Sequence, residues 1–247
     1  MKHIKNNNEK FEKYFELLVE YNSKYNLTSI VDRADVYKKH FEDSLLGMEL
    51  IPMGSHIIDI GCGAGFPSIP LCIVRNDIKA SLYDSVMKKV NFCNIVINEL
   101  GLNIIQDSDT SQAEQSRAKV GHSGVDNIPS LGDRIQAIHS RVEDIPFREH
   151  FDICVARAVA RLNTLSEYAL PYLKVGGSLL AYKSNDIAEE LQETEKILPL
   201  LGAEISQVAT RHLDHDTSRK IVIIKKVAVT DKKYPRGKNL PRTKPLV

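Results

Sequence analysis

The residues with the most chemical potential lie in one short stretch, Ile58-Asp59-Ile60-Gly61-Cys62-Gly63-Ala64-Gly65-Phe66-Pro67. An apolar strand signal runs into three glycines and then into a helix start with proline in its first turn. Glycines at such a junction let the chain turn sharply and bring its backbone close to a ligand. In an open α/β sheet the junction lies at the carboxyl end of a strand, where cofactors bind. The spacing is Gly-x-Gly-x-Gly. A dinucleotide fingerprint needs its last glycine where Phe66 stands, and a phosphate loop needs a Gly-Lys-Ser/Thr run that does not occur.

With Asp59 in front, this spacing is the first motif of class I methyltransferases. Asp59, Gly61, Gly63, Gly65 and Phe66 are therefore candidates to shape an S-adenosylmethionine pocket. Asp84 ends the next strand signal about 20 residues on, where an acid can accept hydrogen bonds from ribose hydroxyls. It can equally brace a neighbouring loop or cap the following helix, a task Ser85 could share. Val142 and Glu143 follow the third strand signal, where an adenine edge would lie; a plain exposed acid is the alternative for Glu143.

After the fourth strand signal the chain reads Ala156-Arg157-Ala158-Val159. Enzymes that methylate exocyclic amino groups carry Asn/Asp-Pro-Pro-Tyr/Phe at that edge. Cytosine-C5 enzymes need a nucleophilic Cys, typically after Pro. Neither pattern occurs, and Arg157 is the polar group offered there. It can grip a carboxylate or phosphate bidentately, stack on a base, or pair with a structural acid. The lone pair of guanine N7 loses no proton on methylation, so an enzyme acting on it needs no general base and mainly places two centres in line. Arg157 is the candidate catalytic residue on this reading.

These residues need a scaffold, and the periodicities supply one. Phe11, Tyr14, Phe15, Leu18 and Tyr21 predict a helix over 9–25, and Val36, Tyr37, His40, Phe41, Ser44 and Leu45 a second over 34–48. Residues 1–50 thus read as a helical cap within the same unit. Strand signals at 56–60, 80–83, 135–139, 151–156 and 178–182 alternate with helix signals at 67–74, 88–100, 162–173 and 187–201. Such alternation means a parallel sheet covered on both faces. Two late strands, 204–210 and 220–227, have no long helix between them and can pair antiparallel. The expected fold is α/β, a Rossmann-like class I methyltransferase domain over 51–230 with a mostly parallel sheet, an antiparallel C-terminal strand and the N-terminal cap. Residues 107–133, rich in Ser, Gln, Asp, Gly and Lys, read as an inserted, solvent-exposed loop.

Composition is ordinary for a globular chain, 43% hydrophobic and 26% charged, and 247 residues suffice to bury a real core. The polar start shows no signal peptide, and no apolar run approaches the roughly 20 residues of a membrane span. A cytoplasmic protein is expected, with a monomer as the default. Cys62, Cys72, Cys93 and Cys154 lack zinc-ligand spacing and read as buried thiols, and no metal site is expected. From Lys232 onward, Lys232, Lys233, Arg236, Lys238, Arg242 and Lys244 meet no acidic residue. This 231–247 tail, broken by Pro235, Pro241 and Pro245, reads either as an extended strip for phosphates or as a solvated terminus, and not as a regular helix.

The chain resembles the RsmG (GidB) family, bacterial methyltransferases of small-subunit ribosomal RNA. The resemblance rests on Tyr25-Asn26-Leu27-Thr28-Ser29-Ile30, Lys39-His40-Phe41-Glu42-Asp43-Ser44-Leu45, and the glycine loop through Gly65-Phe66-Pro67-Ser68-Ile69-Pro70. Further support comes from Asp84-Ser85 with Lys88 and Phe92, Ser140-Arg141-Val142-Glu143-Asp144, Ala156-Arg157-Ala158, Lys183 and Tyr234-Pro235-Arg236. It implies N7 methylation of one guanine in 16S rRNA, on naked RNA or on the small ribosomal subunit. It also implies cofactor contacts at Gly61, Phe66, Val142, Glu143 and Arg157. Asn26, Lys39, His40, Asp43, Ser44 and Lys183 would lie near the site or the RNA, with His40 open to a packing role; Arg236 and Lys238 of the tail would hold phosphates. The 107–133 insert and Ser68, where a glycine commonly follows the proline, depart from the family pattern. The rival readings are a nicotinamide-dependent dehydrogenase, which Phe66 disfavours, a non-catalytic RNA-binding protein, and methylation of another RNA or a small molecule.

Overall fold

The strands of the molecule are β1 (His56–Ile60), β2 (Lys79–Asp84), β3 (Ile135–His139), β4 (Phe151–Arg157), β5 (Leu173–Lys183), β6 (Ala203–His212) and β7 (Ser218–Lys226). They form one sheet in the order β3-β2-β1-β4-β5-β7-β6. This computed structural model describes residues 2–103, 134–184, 186–214 and 217–247, so the 107–133 insert lies outside the described residues. β1 to β5 pair in parallel, and β7 runs antiparallel between β5 and β6. The mostly parallel sheet with one late antiparallel strand is the arrangement expected from the sequence.

The helices are α1 (Lys2–Asn6), α2 (Asn8–Tyr25), α3 (Arg33–Val36), α4 (Asp43–Leu45), α5 (Ser68–Val74), α6 (Met87–Glu99), α7 (Leu162–Ala169), α8 (Ala188–Leu201) and α9 (Leu240–Thr243). Successive strand side chains point to opposite faces, and the core divides accordingly. Ile57, Leu82, Val155 and Leu180 pack with α2, α5 and α6, through Phe11, Tyr14, Ile69 and Phe92 among others. Ile58, Tyr83, Cys154 and Leu179 pack on the other face with α7 and α8, through Leu165 and Ile197. All four cysteines are buried and free. Among the described residues, no helix is long and apolar enough to cross a membrane.

Two elements differ from expectation for local reasons. The second cap helix is interrupted: α3 passes through a π-helical stretch, Tyr37–Glu42, into α4. It stops before Gly47, where a Cβ would collide with the Tyr182 hydroxyl. In the tail, Pro241 sits in the first turn of α9, where its missing N–H costs nothing. The tail is therefore not an extended strip. It folds back on α7, with Tyr234 buried and the Arg148 guanidinium donating to the carbonyls of Tyr234, Thr230 and Asp231.

Candidate active site

The sheet order reverses between β1 and β4, and at that point the carboxyl ends of the strands open into a cleft. The glycine loop enters it from β1. Gly61, Gly63 and Gly65 all have positive φ, at 71°, 59° and 92°, a region that L side chains avoid. At Gly65 a Cβ would also stand 2.5 Å from Ile69 Cδ1 and 2.8 Å from the Tyr14 hydroxyl. The loop is held by the end of β2. The Gly61 and Cys62 N–H groups donate to the Tyr83 carbonyl, and Gly63 N–H donates to Asp84 Oδ2 at 3.0 Å. Asp84 Oδ1 accepts from Val86 N–H at 2.9 Å just before α6. Asp84 thus braces the loop and the helix start, the alternative roles open to it, and still borders the cavity.

Beneath the loop lies Asp59, wholly buried, with neither carboxylate oxygen hydrogen-bonded. Burial pushes its carboxyl up to about 7, partly offset by the nearby Ser68 hydroxyl and N–H and by Arg157. A buried, unpartnered acid is costly, and a cationic ligand group above it would relieve that cost. Tyr14 reaches from α2 to donate to the Ala64 carbonyl. The cap therefore buttresses the cofactor loop directly, a link invisible in the helix's own periodicity.

Arg157, the last residue of β4, turns toward the cap. Its Nη1 donates to Asp43 Oδ2 at 2.8 Å and the Lys39 carbonyl at 3.1 Å, and Nη2 meets His40 Nδ1 at 3.2 Å. Three of its five N–H donors are thereby committed. The guanidinium also lies 5.1 Å from the Phe66 ring centroid, on which His40 stacks at 4.5 Å. Arginine can only donate, so His40 Nδ1 accepts and the ring proton sits on Nε2, which is 2.9 Å from the Thr28 hydroxyl. Burial and the Arg157 charge lower the His40 pKa to about 4, so the ring is neutral. Asp43, itself buried, also accepts from Arg219 Nε at 2.7 Å. Arg157 does pair with an acid, and that pair fastens the cap to the β4 edge beside the glycine loop.

A cavity of about 430 Å³ opens over the ends of β1, β2 and β3, within the range of small-molecule pockets. Of the expected cofactor residues, Gly61, Asp84, Val142 and Glu143 line it, while Asp59, Gly63, Gly65, Phe66 and Arg157 are not among its lining. The tail supplies a wall that sequence reasoning missed. Asn239 N–H donates to Glu143 Oε1 at 3.1 Å, the Tyr168 hydroxyl donates to Asn239 Oδ1 at 3.1 Å, and Arg242 lies at the rim. Val159 packs over Gly61, its Cγ2 3.0 Å from where a Cβ would be. The lining mixes apolar groups, backbone and acids with the cations Lys89, Arg141 and Arg242, and the orphaned Asp59 beneath the loop adds a buried acid near a bound sulfonium such as that of S-adenosylmethionine.

The residues expected to touch RNA are dispersed. Asn26 caps α2 with φ 53° and is exposed. The Lys39 ammonium pairs with Asp35 at 2.9 Å. Lys183 is held by Glu190 at 2.6 Å and the Ala160 carbonyl. Arg236 does not face solvent phosphates: its Nε and Nη2 grip the fully buried Glu167 at 2.8 Å each, and its backbone N–H adds a third bond. Lys238 remains exposed.

A mostly parallel sheet with one antiparallel strand beside its edge, bearing a glycine loop at its reversal point, defines a class I methyltransferase. M. jannaschii TYW2, solved in complex with AdoMet, shares this fold at TM-score 0.53 and 10% identity, over 76% of each chain. The profile of the rRNA small subunit methyltransferase G (GidB) family matches residues 7–120 and 129–222. Ribosomal RNA small subunit methyltransferase G of Streptococcus gordonii is 38% identical over 96% of this chain and 91% of its own length. Its counterpart in Lachnoclostridium phytofermentans is 40% identical over 97% and 89%. The chain belongs to the rRNA small subunit methyltransferase G family.

Proposed function

We propose that the chain transfers the methyl group of S-adenosylmethionine to N7 of a guanine in 16S rRNA, acting as a cytoplasmic monomer on the small ribosomal subunit or its RNA. The observation that carries the choice of acceptor atom is the state of the polar groups at the β4 edge. Asp43 has both oxygens bound to guanidinium groups, His40 is neutral with both nitrogens engaged, and Lys183 is held by Glu190. None is free to remove a proton, which suits an acceptor that has none to lose. The bound cofactor supplies an electrophilic sulfonium methyl. The glycine loop, Asp59, Phe66, Asp84, Val142, Glu143 and Arg157 hold and orient it, and the guanidinium of Arg157 beside the β4 end positions the incoming base. Asn26, Lys39, His40 and Lys238 stand on the RNA side of this reading; Lys183 and Arg236 serve it by anchoring the β5 end and the tail.

The test is transfer of labelled methyl from S-adenosylmethionine to small ribosomal subunits and to stripped 16S rRNA from cells lacking the gene. Label recovered as N7-methylguanosine supports the proposal; label in another nucleoside, or none despite cofactor binding, overturns it.

A further inference from the structure

Most cations near the site are already spent on acids: Lys38 on Asp214, Lys39 on Asp35, Arg161 on Glu189 and Glu193, Lys183 on Glu190, Arg157 and Arg219 on Asp43, and Arg236 on Glu167. Three that line the cavity are not. Lys89 in the first turn of α6, Arg141 just after β3 and Arg242 in α9 border the same opening. Among the described residues, none of the three side chains has a hydrogen bond or ion pair. Asp84 and Glu143 share the cavity but form no ion pair with them, their hydrogen bonds being to backbone N–H groups, and cations outnumber acids in the lining.

The three positions come from distant parts of the chain and are held by the fold. Ser140 N–H bonds the Asp84 carbonyl at 3.2 Å beside Arg141. α9 is fixed by the Glu143 and Tyr168 contacts to Asn239 and by the Thr164 hydroxyl on the Pro241 carbonyl at 3.0 Å. Convergent, unpaired cations mark a site for an anion. Bound S-adenosylmethionine would bring one carboxylate against an ammonium and a sulfonium, so as a net cation it leaves the three charges in surplus. A nucleic-acid backbone supplies the anion, carrying a phosphate at every nucleotide.

We infer that Lys89, Arg141 and Arg242 form a phosphate-binding rim that seats the RNA backbone over the mouth of the cofactor cavity. The inference rests on the ribosomal RNA reading and extends the docking face from the cap to this rim. It also gives the folded tail a task, since only its docking on α7 brings Arg242 beside the other two. Contacts of this kind position the RNA without reading its sequence.

The variants are K89A, R141A and R242A, singly and combined, with R141K/R242K as the charge-preserving pair. Methyl transfer to small subunits or stripped 16S rRNA is measured against RNA concentration and salt, and cofactor affinity by calorimetry. The triple variant should raise KM for RNA by at least about tenfold. It should flatten the dependence of log KM on log salt by roughly 0.7 to 0.9 per lost contact, with the cofactor Kd unmoved and the lysine pair near wild type. Unchanged KM and salt slope would overturn the inference, as would a weakened cofactor Kd that accounts for the whole loss. Wild-type protein that methylates no RNA in the same assay would instead overturn the substrate reading.

Discussion

At the scale of single residues, Arg157 does two things at once: it joins the cap to the sheet through Asp43, and it lies against the Phe66 ring in the same place. Removing it leaves Asp43 with Arg219 alone and His40 Nδ1 without a donor. Arg157→Ala should therefore lower kcat/KM for RNA methylation by about 100-fold through misplacement of the reacting centres, with the far-UV spectrum retained. Arg157→Lys should rescue little, because an ammonium cannot span Asp43, the Lys39 carbonyl and His40 together. Near-normal turnover of the alanine variant would remove Arg157 from the chemistry. Asp59 makes a separate prediction. Its pKa of about 7 in the folded chain lies above the ordinary 3.8, so folding takes up a proton. The associated stability is full below the ordinary value and is lost as pH rises through about 7. Between about pH 5 and about pH 8 the thermal midpoint of the wild type should fall relative to that of Asp59→Asn; parallel profiles would show that Asp59 is not buried as described.

At the scale of elements, the glycine loop works because its neighbours leave it room and then hold it. Gly65→Ala forces a Cβ against Ile69 and Tyr14 at a φ of 92°. The change should cost about 2 kcal/mol in denaturant unfolding and weaken cofactor binding; a variant of wild-type stability would show the loop to be looser than described. The strands and the loop are legible in the sequence because their signals are local: an apolar run, a glycine spacing, a proline. β1 and β3 fall where their apolar residues predict. Arg157 is legible as a candidate, but its partner is not. Asp43 stands 114 residues earlier, in a helix whose π-helical stretch no periodicity announces. The bracing role of Asp84 is likewise one of several that its position allows, and the hydrogen bond from Gly63 that shows it could not be read from the sequence.

At the scale of the whole molecule, the tail closes the structure. Its basic composition is plain in the sequence, and so is its suitability for phosphates. What composition does not carry is the destination of each charge. Arg236 finds the buried Glu167, 69 residues away, and is spent on holding the tail. Arg236→Ala should therefore strand a buried carboxylate and cost about 3 kcal/mol of stability, whereas Lys238→Ala, on the exposed surface, should stay within about 0.5 kcal/mol. Equal, small effects in a denaturant titration would mean that the tail is not docked. The fold, the cofactor loop and the tail meet in a single claim, N7 methylation of a guanine in small-subunit ribosomal RNA. N7-methylguanosine alone among these candidate products becomes open to strand scission after borohydride reduction and aniline treatment. We would apply that chemistry to 16S rRNA from cells with and without the gene. The account predicts one cleavage that disappears with the gene and returns when the wild-type chain, but not Arg157→Ala, is restored. Identical cleavage patterns in both RNAs would contradict it.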